Sequence, residues 1–202
     1  GKKFKSFHRV RGEVFVSGDY ESATDNLSLE VTERILSRIL SHTRNVPHDI
    51  QVYAMRSLRA TITYTNNGGS STVRQARGQL MGNYLSFPLL CLHNYFAFTY
   101  AIPRPGVPVR INGDDIVFRS TPAEYRRWCE IVSIAGLTLS KGKTLVSQSM
   151  FSFNSAFFDA QSRRVREIPI IRPTMLQPSE GPPHAGDFKR FVRNWKDSSS
   201  CN

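Results

Sequence analysis

The sequence predicts an α+β fold in which an antiparallel sheet packs against helices. Two patterns indicate this class. Short runs of β-branched and aromatic residues are joined by tight turns, which connect antiparallel neighbours, and longer segments carry apolar residues at helical spacing. With 202 residues, of which 40% are hydrophobic, the chain has enough apolar material for one core.

The first elements are a strand and a helix. Residues 13–17 form a predicted strand, and Asp19 stands just past its end. The helix that follows has apolar residues at helical spacing and runs to about Ser41. Its start is marked by three residues whose side-chain oxygens can cap backbone N–H groups, namely Asp25, Asn26 and Ser28.

A hairpin and a long helix come next. The β-rich runs 61–65 and 72–73 flank the turn-forming residues 66–69. From Asn83 onward, apolar residues recur at helical spacing, which predicts a long buried helix with Pro88 as a candidate kink.

A second hairpin carries two acids at its tip. Residues 109–111 and 116–118 are short apolar strands, and the Asn-Gly-Asp-Asp sequence at 112–115 is rich in turn formers. This arrangement puts Asp114 and Asp115 at the tip. A capping box at residues 121–124 then starts a helix that ends at Gly136.

The last part of the chain is less regular. Strands are predicted at 144–146, 150–153 and 164–168, followed by a proline-rich stretch at 173–183 and a basic amphipathic tail at 188–196. The apolar residues 85–102 are interrupted by polar ones and by a proline, so we expect a buried helix and no membrane span.

The charge balance favours a polyanionic partner. The 27 lysines and arginines exceed the 16 acids, giving a net charge of +11, and RNA is a natural candidate. A basic ribosomal or capsid protein would have the same balance, so the acids must decide the function. The three cysteines lie far apart with no zinc-type spacing, which favours a reducing compartment.

Five segments, in order along the chain, resemble the palm motifs of viral RNA-dependent RNA polymerases. They are residues 17–26 (SGDYESATDN, motif A), 78–94 (beginning GQLMGNYLSFP, motif B), 111–117 (INGDDIV, motif C), 136–144 (motif D) and 153–158 (FNSAFF, motif E). The sequence is most similar to ourmia-like (botourmiavirus), narnavirus and mitovirus polymerases. The resemblance implies a right-hand polymerase palm with part of the fingers in residues 1–160, and a segment leading toward a thumb in residues 161–202.

The resemblance also implies template-directed synthesis of RNA from ribonucleoside triphosphates, which replicates a viral genome. Such nucleotidyl transfer uses two Mg²⁺ ions, for which Mn²⁺ can substitute, held by carboxylates. Asp19 and Asp114 would be the principal metal ligands, with Asp115 as an auxiliary one. Lys143, with Lys141 as its competitor, would protonate the leaving pyrophosphate.

Three motif residues would lie near the ribose of the incoming nucleotide. Asp25 would act there together with Ser86 and Asn94, which can hydrogen-bond a 2′-hydroxyl directly or through one another. The alternative for Ser86 and Asn94 is a buried polar pair that satisfies its own hydrogen bonds.

Four further residues would contact RNA. Gly78 and Gly82 would let the backbone approach template or nucleotide closely, although a hairpin-to-helix connection also uses glycine. Arg74 and Arg77 would contact template phosphates, and their alternative role is that of ordinary surface residues.

The family places a basic fingers motif well upstream of motif A, whereas 18 residues precede Asp19. We therefore expect a fragment of a longer polypeptide that is weak or inactive alone. A polymerase of these groups would work in the host cytoplasm, or in the mitochondrion if it is mitovirus-like.

Two other functions compete with this interpretation. A reverse transcriptase shares the two-metal chemistry, but it usually has an aromatic residue before x-Asp-Asp and a bulky steric gate in motif A, unlike residues 111–115 and Asp25. A noncatalytic RNA-binding protein would need only the positive charge, and its aspartates would be incidental turn and cap residues.

Overall fold

The computed structural model describes residues 4–66, 68–140, 142–162 and 164–169. Strands β1 to β11 are Val14–Gly18, Tyr20–Glu21, Thr61–Asn66, Gly69–Arg74, Val109–Asn112, Asp115–Ser120, Thr138–Leu139, Leu145–Ser147, Met150–Phe153, Ala156–Asp159 and Arg166–Ile168. Helices α1 to α5 are Ala23–Asn26, Leu29–Ser41, His48–Ser57, Ser86–Ala101 and Pro122–Ile134.

The central sheet has the strand order β5-β6-β1-β8, and all its neighbours are antiparallel. Strand β1 pairs with β6 so that Gly18 lies opposite Ile116. The C-terminal end of β1 therefore meets the β5–β6 turn at one edge of the sheet, which sets up the candidate site.

Side chains alternate along the strands of the sheet, so both of its faces carry apolar residues. Both faces are covered by other parts of the chain. Val16, Ile116 and Phe118 face helices α4 and α5, where Phe98 and Trp128 join the same core cluster. The opposite face packs against an aromatic cluster made of Phe4, Phe7, Phe15, Val117, Phe151 and Ala160. The two layers hold the site's strands between helices on one side and the β9–β10 hairpin on the other.

Helices α2 and α3 form a smaller layer beside α4. Leu36 of α2, Leu58 after α3 and Leu89 of α4 are the buried centre of this contact. The hairpin β3–β4 leads from this layer back to the start of α4, and all the residues of β4 are exposed.

The predicted α+β class is confirmed. Two helices begin at the capping residues that the sequence predicts. The capping box of α5 is present, since the Thr121 side chain accepts from the Glu124 N–H and the Glu124 side chain accepts from the Thr121 N–H. Ser28 caps α2 through the N–H of Val31. Pro88 lies at the third residue of α4, where its missing N–H breaks no intrahelical bond, so no kink is required there.

Some other expectations were wrong, and some concern residues outside the described part of the chain. Asp25 and Asn26 do not cap α2, because they belong to the separate short helix α1. Helix α3 and the two-residue strands β2 and β7 were not predicted. The proline-rich stretch and the basic tail fall outside the described residues, and among the helices that are described none is long and apolar enough to cross a membrane.

Candidate active site

Three aspartates meet at the edge where β1 ends and β6 begins. Asp19 directly follows Gly18, and the pairing of Gly18 with Ile116 brings it beside Asp115. Residues Gly113 and Asp114 form the two-residue turn between β5 and β6, since Asn112 pairs with Asp115. Gly113 has φ of +66°, a conformation that glycine adopts without strain and that hairpin turns of this type need. The sequence-predicted acids are thus brought together.

The carboxylates lie within electrostatic reach of one another. The pKa of the Asp115 carboxyl is raised first by burial and then by the negative charges of Asp114 and Asp19. A hydrogen bond from the backbone N–H of Asn154 acts in the opposite direction. A cation at this edge would relieve the mutual repulsion.

The carboxylates suit a hard divalent cation, but they supply only part of the ligands that such an ion needs. Among the described residues, no three acidic, histidine or cysteine side chains come together as a ready-made metal site. Mg²⁺ keeps several waters and is usually held by one or two carboxylates together with substrate phosphates. The aspartates at this edge therefore suit an open Mg²⁺ site completed by water and substrate oxygens, and do not form a closed protein cage.

A lysine reaches the same edge. The Nζ atom of Lys143 lies 3.6 Å from Oδ2 of Asp19, and 74% of the Lys143 side chain is exposed. The loop carrying it is tied to motif A, because the Ser140 N–H donates to the Asp19 carbonyl at 2.9 Å and β7 pairs with β2. Lys141, the alternative proton donor, lies outside the described residues.

Ser86 and Asn94 are both buried, and their side chains have different partners. The Ser86 hydroxyl donates to Oε1 of Gln79 at 3.1 Å, and Nε2 of Gln79 donates to Oγ1 of Thr32. They stand eight positions apart on α4, about 12 Å along the helix axis. Ser86 and Asn94 therefore do not hydrogen-bond each other, and direct contact of either side chain with a ribose stays a prediction.

Asn94 instead joins motif A to motif C. Its Oδ1 accepts from the Tyr20 hydroxyl at 2.7 Å, and its Nδ2 donates to the Gly113 carbonyl at 3.3 Å. Asn94 is completely buried, so both polar atoms of its amide are used inside the protein. A role of Asn94 in binding the ribose stays a prediction.

Asp25 is exposed, six positions after Asp19. It lies on α1, whose N-cap residue Ser22 makes no side-chain capping bond. The loop before α4 packs directly on α1, since the N–H of Gln79 donates to the Thr24 carbonyl at 2.6 Å and that of Gly78 donates to the Leu27 carbonyl at 3.0 Å. Motifs A and B are therefore joined backbone to backbone next to Asp25.

Of the predicted RNA contacts, Arg74, Arg77 and Gly82 are solvent-exposed, whereas Gly78 is buried against α1. Arg74 ends β4, and Arg77 and Gly82 lie in the loop between β4 and α4. A β-carbon at Gly82 would meet nothing within 4 Å, so protein packing does not require glycine there. Open space beside Gly82 is compatible with close approach by a ligand.

The sequence reasoning missed four residues of this site. Tyr20, Gln79 and Cys91 make the bonds that join the motifs, and Asn154 contacts Asp115 from the β9–β10 turn. Asn154 and Ser155 have positive φ values of 50° and 59°, as a tight hairpin turn requires. The Asn-Ser pair between two aromatic runs was the available signal for that turn.

A known protein family matches the part of the chain that carries these motifs. The family described as mitovirus RNA-dependent RNA polymerase matches residues 3–172. The chain belongs to this polymerase family. The match includes all five segments that resemble palm motifs.

Curated polymerases of three virus groups are similar to the chain. The RNA-dependent RNA polymerase of Ourmia melon virus (isolate Melon/Iran/VE9) is 33% identical over 185 residues, covering 82% of the chain and 22% of the relative. The RNA-directed RNA polymerase of Cryphonectria parasitica mitovirus 1 is 32% identical over 148 residues (70% and 17%). That of Saccharomyces 23S RNA narnavirus is 27% identical over 172 residues (78% and 18%). The predicted resemblance is confirmed, and the chain spans about a fifth of the length of these relatives.

Solved polymerase structures share the fold. The RNA-dependent RNA polymerase of a human picorbirnavirus has a TM-score of 0.61 at 15% identity, covering 79% of this chain and 31% of that one. Apo telomerase from Candida tropicalis, truncated from its C-terminal domain, has a TM-score of 0.57 at 15% identity, covering 83% and 37%. At such identities the likeness concerns fold alone, and it confirms the predicted right-hand polymerase architecture.

Proposed function

We propose that this chain is the palm of a viral polymerase that synthesises RNA on an RNA template from ribonucleoside triphosphates by two-metal nucleotidyl transfer. The observation that carries the proposal is the meeting of Asp19, Asp114 and Asp115 at one sheet edge, with the ammonium group of Lys143 beside Asp19. Family membership supports it, because the relatives are named as RNA polymerases.

Asp19 and Asp114 would hold the catalytic cations, and Asp115 would assist from its more buried position. When bound, a pair of Mg²⁺ ions, or Mn²⁺ in their place, supplies an activated 3′-hydroxyl and neutralises charge on the leaving group. In the transfer the 3′-oxygen forms a bond to the α-phosphorus, the bond to the bridging oxygen breaks, and pyrophosphate leaves. Lys143 would donate a proton to that pyrophosphate.

The substrates would lie along the surface that joins motifs A and B. Asp25 is exposed next to this junction and would select the ribose, while buried Ser86 would act through Gln79. Arg74, Arg77 and the open backbone at Gly82 would contact template or product RNA, with Gly78 holding their loop on α1. As with related viruses, the site of action would be the host cytoplasm, or the mitochondrion for a mitovirus.

Reverse transcription is the second candidate, because the fold is shared with telomerase. An incorporation assay separates the possibilities. The full-length polymerase containing this chain is given a primed RNA template, Mg²⁺, and either ribonucleotides or deoxynucleotides. Template-dependent extension with ribonucleotides supports the proposal, and extension with deoxynucleotides alone would favour reverse transcription. RNA binding without any incorporation would favour a noncatalytic RNA-binding protein.

A further inference from the structure

One helix binds both backbone polar groups of the glycine in the motif C turn. Cys91 and Asn94, three residues apart on α4, face the turn together. The Gly113 N–H donates to Sγ of Cys91 at 3.1 Å, and the Gly113 carbonyl accepts from Nδ2 of Asn94 at 3.3 Å. A β-carbon on Gly113 would lie 3.2 Å from the Phe87 ring, so the turn rests closely on α4. Because Asp114 is the next residue, these contacts with α4 fix the backbone position from which the Asp114 side chain extends.

Motif A is attached to the same amide. Tyr20 directly follows Asp19, and its hydroxyl donates to Oδ1 of Asn94 at 2.7 Å. A continuous chain of hydrogen bonds thus runs from the neighbour of Asp19 to the neighbour of Asp114.

We infer that Tyr20 and Asn94 are positioning residues that set the separation of the carboxylates of Asp19 and Asp114 for catalysis. The inference rests on the proposed function, and it assigns these two residues a role without contact to substrate. In addition to the pairing of β1 with β6, the amide of Asn94 joins the two motifs, because it meets motif A through its oxygen and motif C through its nitrogen.

The two side chains of the relay are shielded from solvent. Tyr20 is 4% exposed and Asn94 is 0% exposed, so water has little access to the vacated position. A buried acceptor that loses its donor must remain unpaired or shift to a new partner. A displacement of about 1 Å in a catalytic group is enough to slow a reaction about 100-fold.

A matched control exists in the same core. Tyr20 and Tyr125 both pack against Trp128, with ring centroids 6.3 Å and 6.2 Å away. The Tyr125 side chain hydrogen-bonds Cys129 on its own helix and joins no catalytic motif. Tyr20→Phe and Tyr125→Phe thus each remove a phenol oxygen from a ring that packs on the same indole, and only the first cuts the relay.

The experiment measures kcat, the nucleotide KM and the Mn²⁺ dissociation constant in the full-length polymerase. Mn²⁺ binding is followed by the electron paramagnetic resonance of free Mn²⁺, which needs no turnover. Tyr20→Phe is expected to lower kcat about tenfold with KM nearly unchanged, and to weaken Mn²⁺ binding, because displaced carboxylates no longer share a cation well. The double variant Tyr20→Phe/Asn94→Ala should be no slower than Asn94→Ala, since both changes break one chain.

The outcomes separate the inference from the function it rests on. Tyr20→Phe with wild-type kcat and wild-type Mn²⁺ affinity, or with losses equal to those of Tyr125→Phe, would overturn the positioning role, whatever its effect on stability. If the wild-type protein binds Mn²⁺ but incorporates no nucleotide, the proposed function fails. The positioning role is then decided by Mn²⁺ affinity alone, and a weaker affinity in Tyr20→Phe than in Tyr125→Phe supports it. If the wild-type protein neither binds Mn²⁺ nor incorporates nucleotide, both are overturned.

Discussion

A β-carbon on Gly78 would lie 2.5 Å from the backbone carbonyl oxygen of Asp25, so these two residues can be neighbours only because position 78 carries none. Gly78 also has φ of +72°, in the left-handed region that disfavours other residues. The contact fixes the start of motif B on motif A, beside the carboxylate edge.

Gly78→Ala should therefore be destabilising. Backbone strain of this kind costs about 1–3 kcal/mol, and the overlap with backbone atoms adds to it because neither chain segment can move freely. The free energy of unfolding from urea denaturation measures the effect. Gly82→Ala is the control, since a β-carbon there meets nothing within 4 Å. Equal stability of the two variants would contradict the contact.

Asp25→Ala should change sugar selection and leave stability nearly unchanged. Asp25 is exposed and caps no helix, so the free energy of unfolding should stay within about 0.5 kcal/mol of wild type. A site that hydrogen-bonds a hydroxyl rejects the analogue lacking it by as much as about 10⁴-fold. We expect the ratio of kcat/KM for a ribonucleotide and its deoxy analogue to shrink in Asp25→Ala. An unchanged ratio would remove Asp25 from ribose selection and leave the metal ligands unaffected.

Lys143→Gln should separate catalysis from stability. The ion pair with Asp19 involves a side chain that is 74% exposed, and exposed pairs contribute between about 0 and 1 kcal/mol. Loss of a general acid should slow nucleotide incorporation by about 10² to 10⁴-fold. Single-turnover incorporation measures this, with Lys141→Gln as the comparison. If Lys141→Gln is the slower variant, the proton donor has been assigned to the wrong lysine.

His93 should make stability depend on pH. Burial lowers the pKa of His93 below its ordinary value of 6.5, and its Nδ1–H donates to the Leu89 carbonyl. As pH falls below 6.5, the unfolded chain binds a proton that the folded protein does not, so the free energy of unfolding decreases. This decrease continues down to the lower folded-state pKa and then levels off. His93→Leu should reduce the slope of stability against pH between 6.5 and that value; an identical slope in urea titrations would refute the argument.

The elements that could be predicted from sequence are those with local causes. The capping box at Thr121 and the hairpin turn predicted at 112–115 act over a few residues, and both are present, although the strands extend to Asn112 and Asp115 and leave a two-residue turn. Antiparallel pairing of the strands beside these signals then brings the aspartates to one edge. Helix α3 gave no comparable signal, because none of its residues is buried and its apolar positions mark no inner face.

The links between motifs could not be predicted, since their partners are distant in sequence. Tyr20 and Asn94 are 74 positions apart, and Cys91 and Gly113 are 22 apart. Asp25 was assigned as one of three possible caps, but a left-handed Ser22 starts a separate short helix before Ser28. Contacts between distant residues and the choice among neighbouring caps both depend on packing. The spacing of residues in the sequence does not reveal this packing.

The aspartates at the sheet edge would hold the catalytic cations, and the variant Asp114→Asn is the most direct test of that role. The measurement is Mg²⁺-dependent nucleotide incorporation by the full-length polymerase, with Asp49→Asn as an equally neutralising change on exposed α3. Asp114 is itself exposed in the turn, so both variants should remain folded, with free energies of unfolding within about 0.5 kcal/mol of wild type. We expect Asp114→Asn to incorporate no nucleotide above background, because the site loses an anionic ligand while keeping its shape, and Asp49→Asn to match wild type. Near-normal incorporation by a folded Asp114→Asn protein would contradict the account.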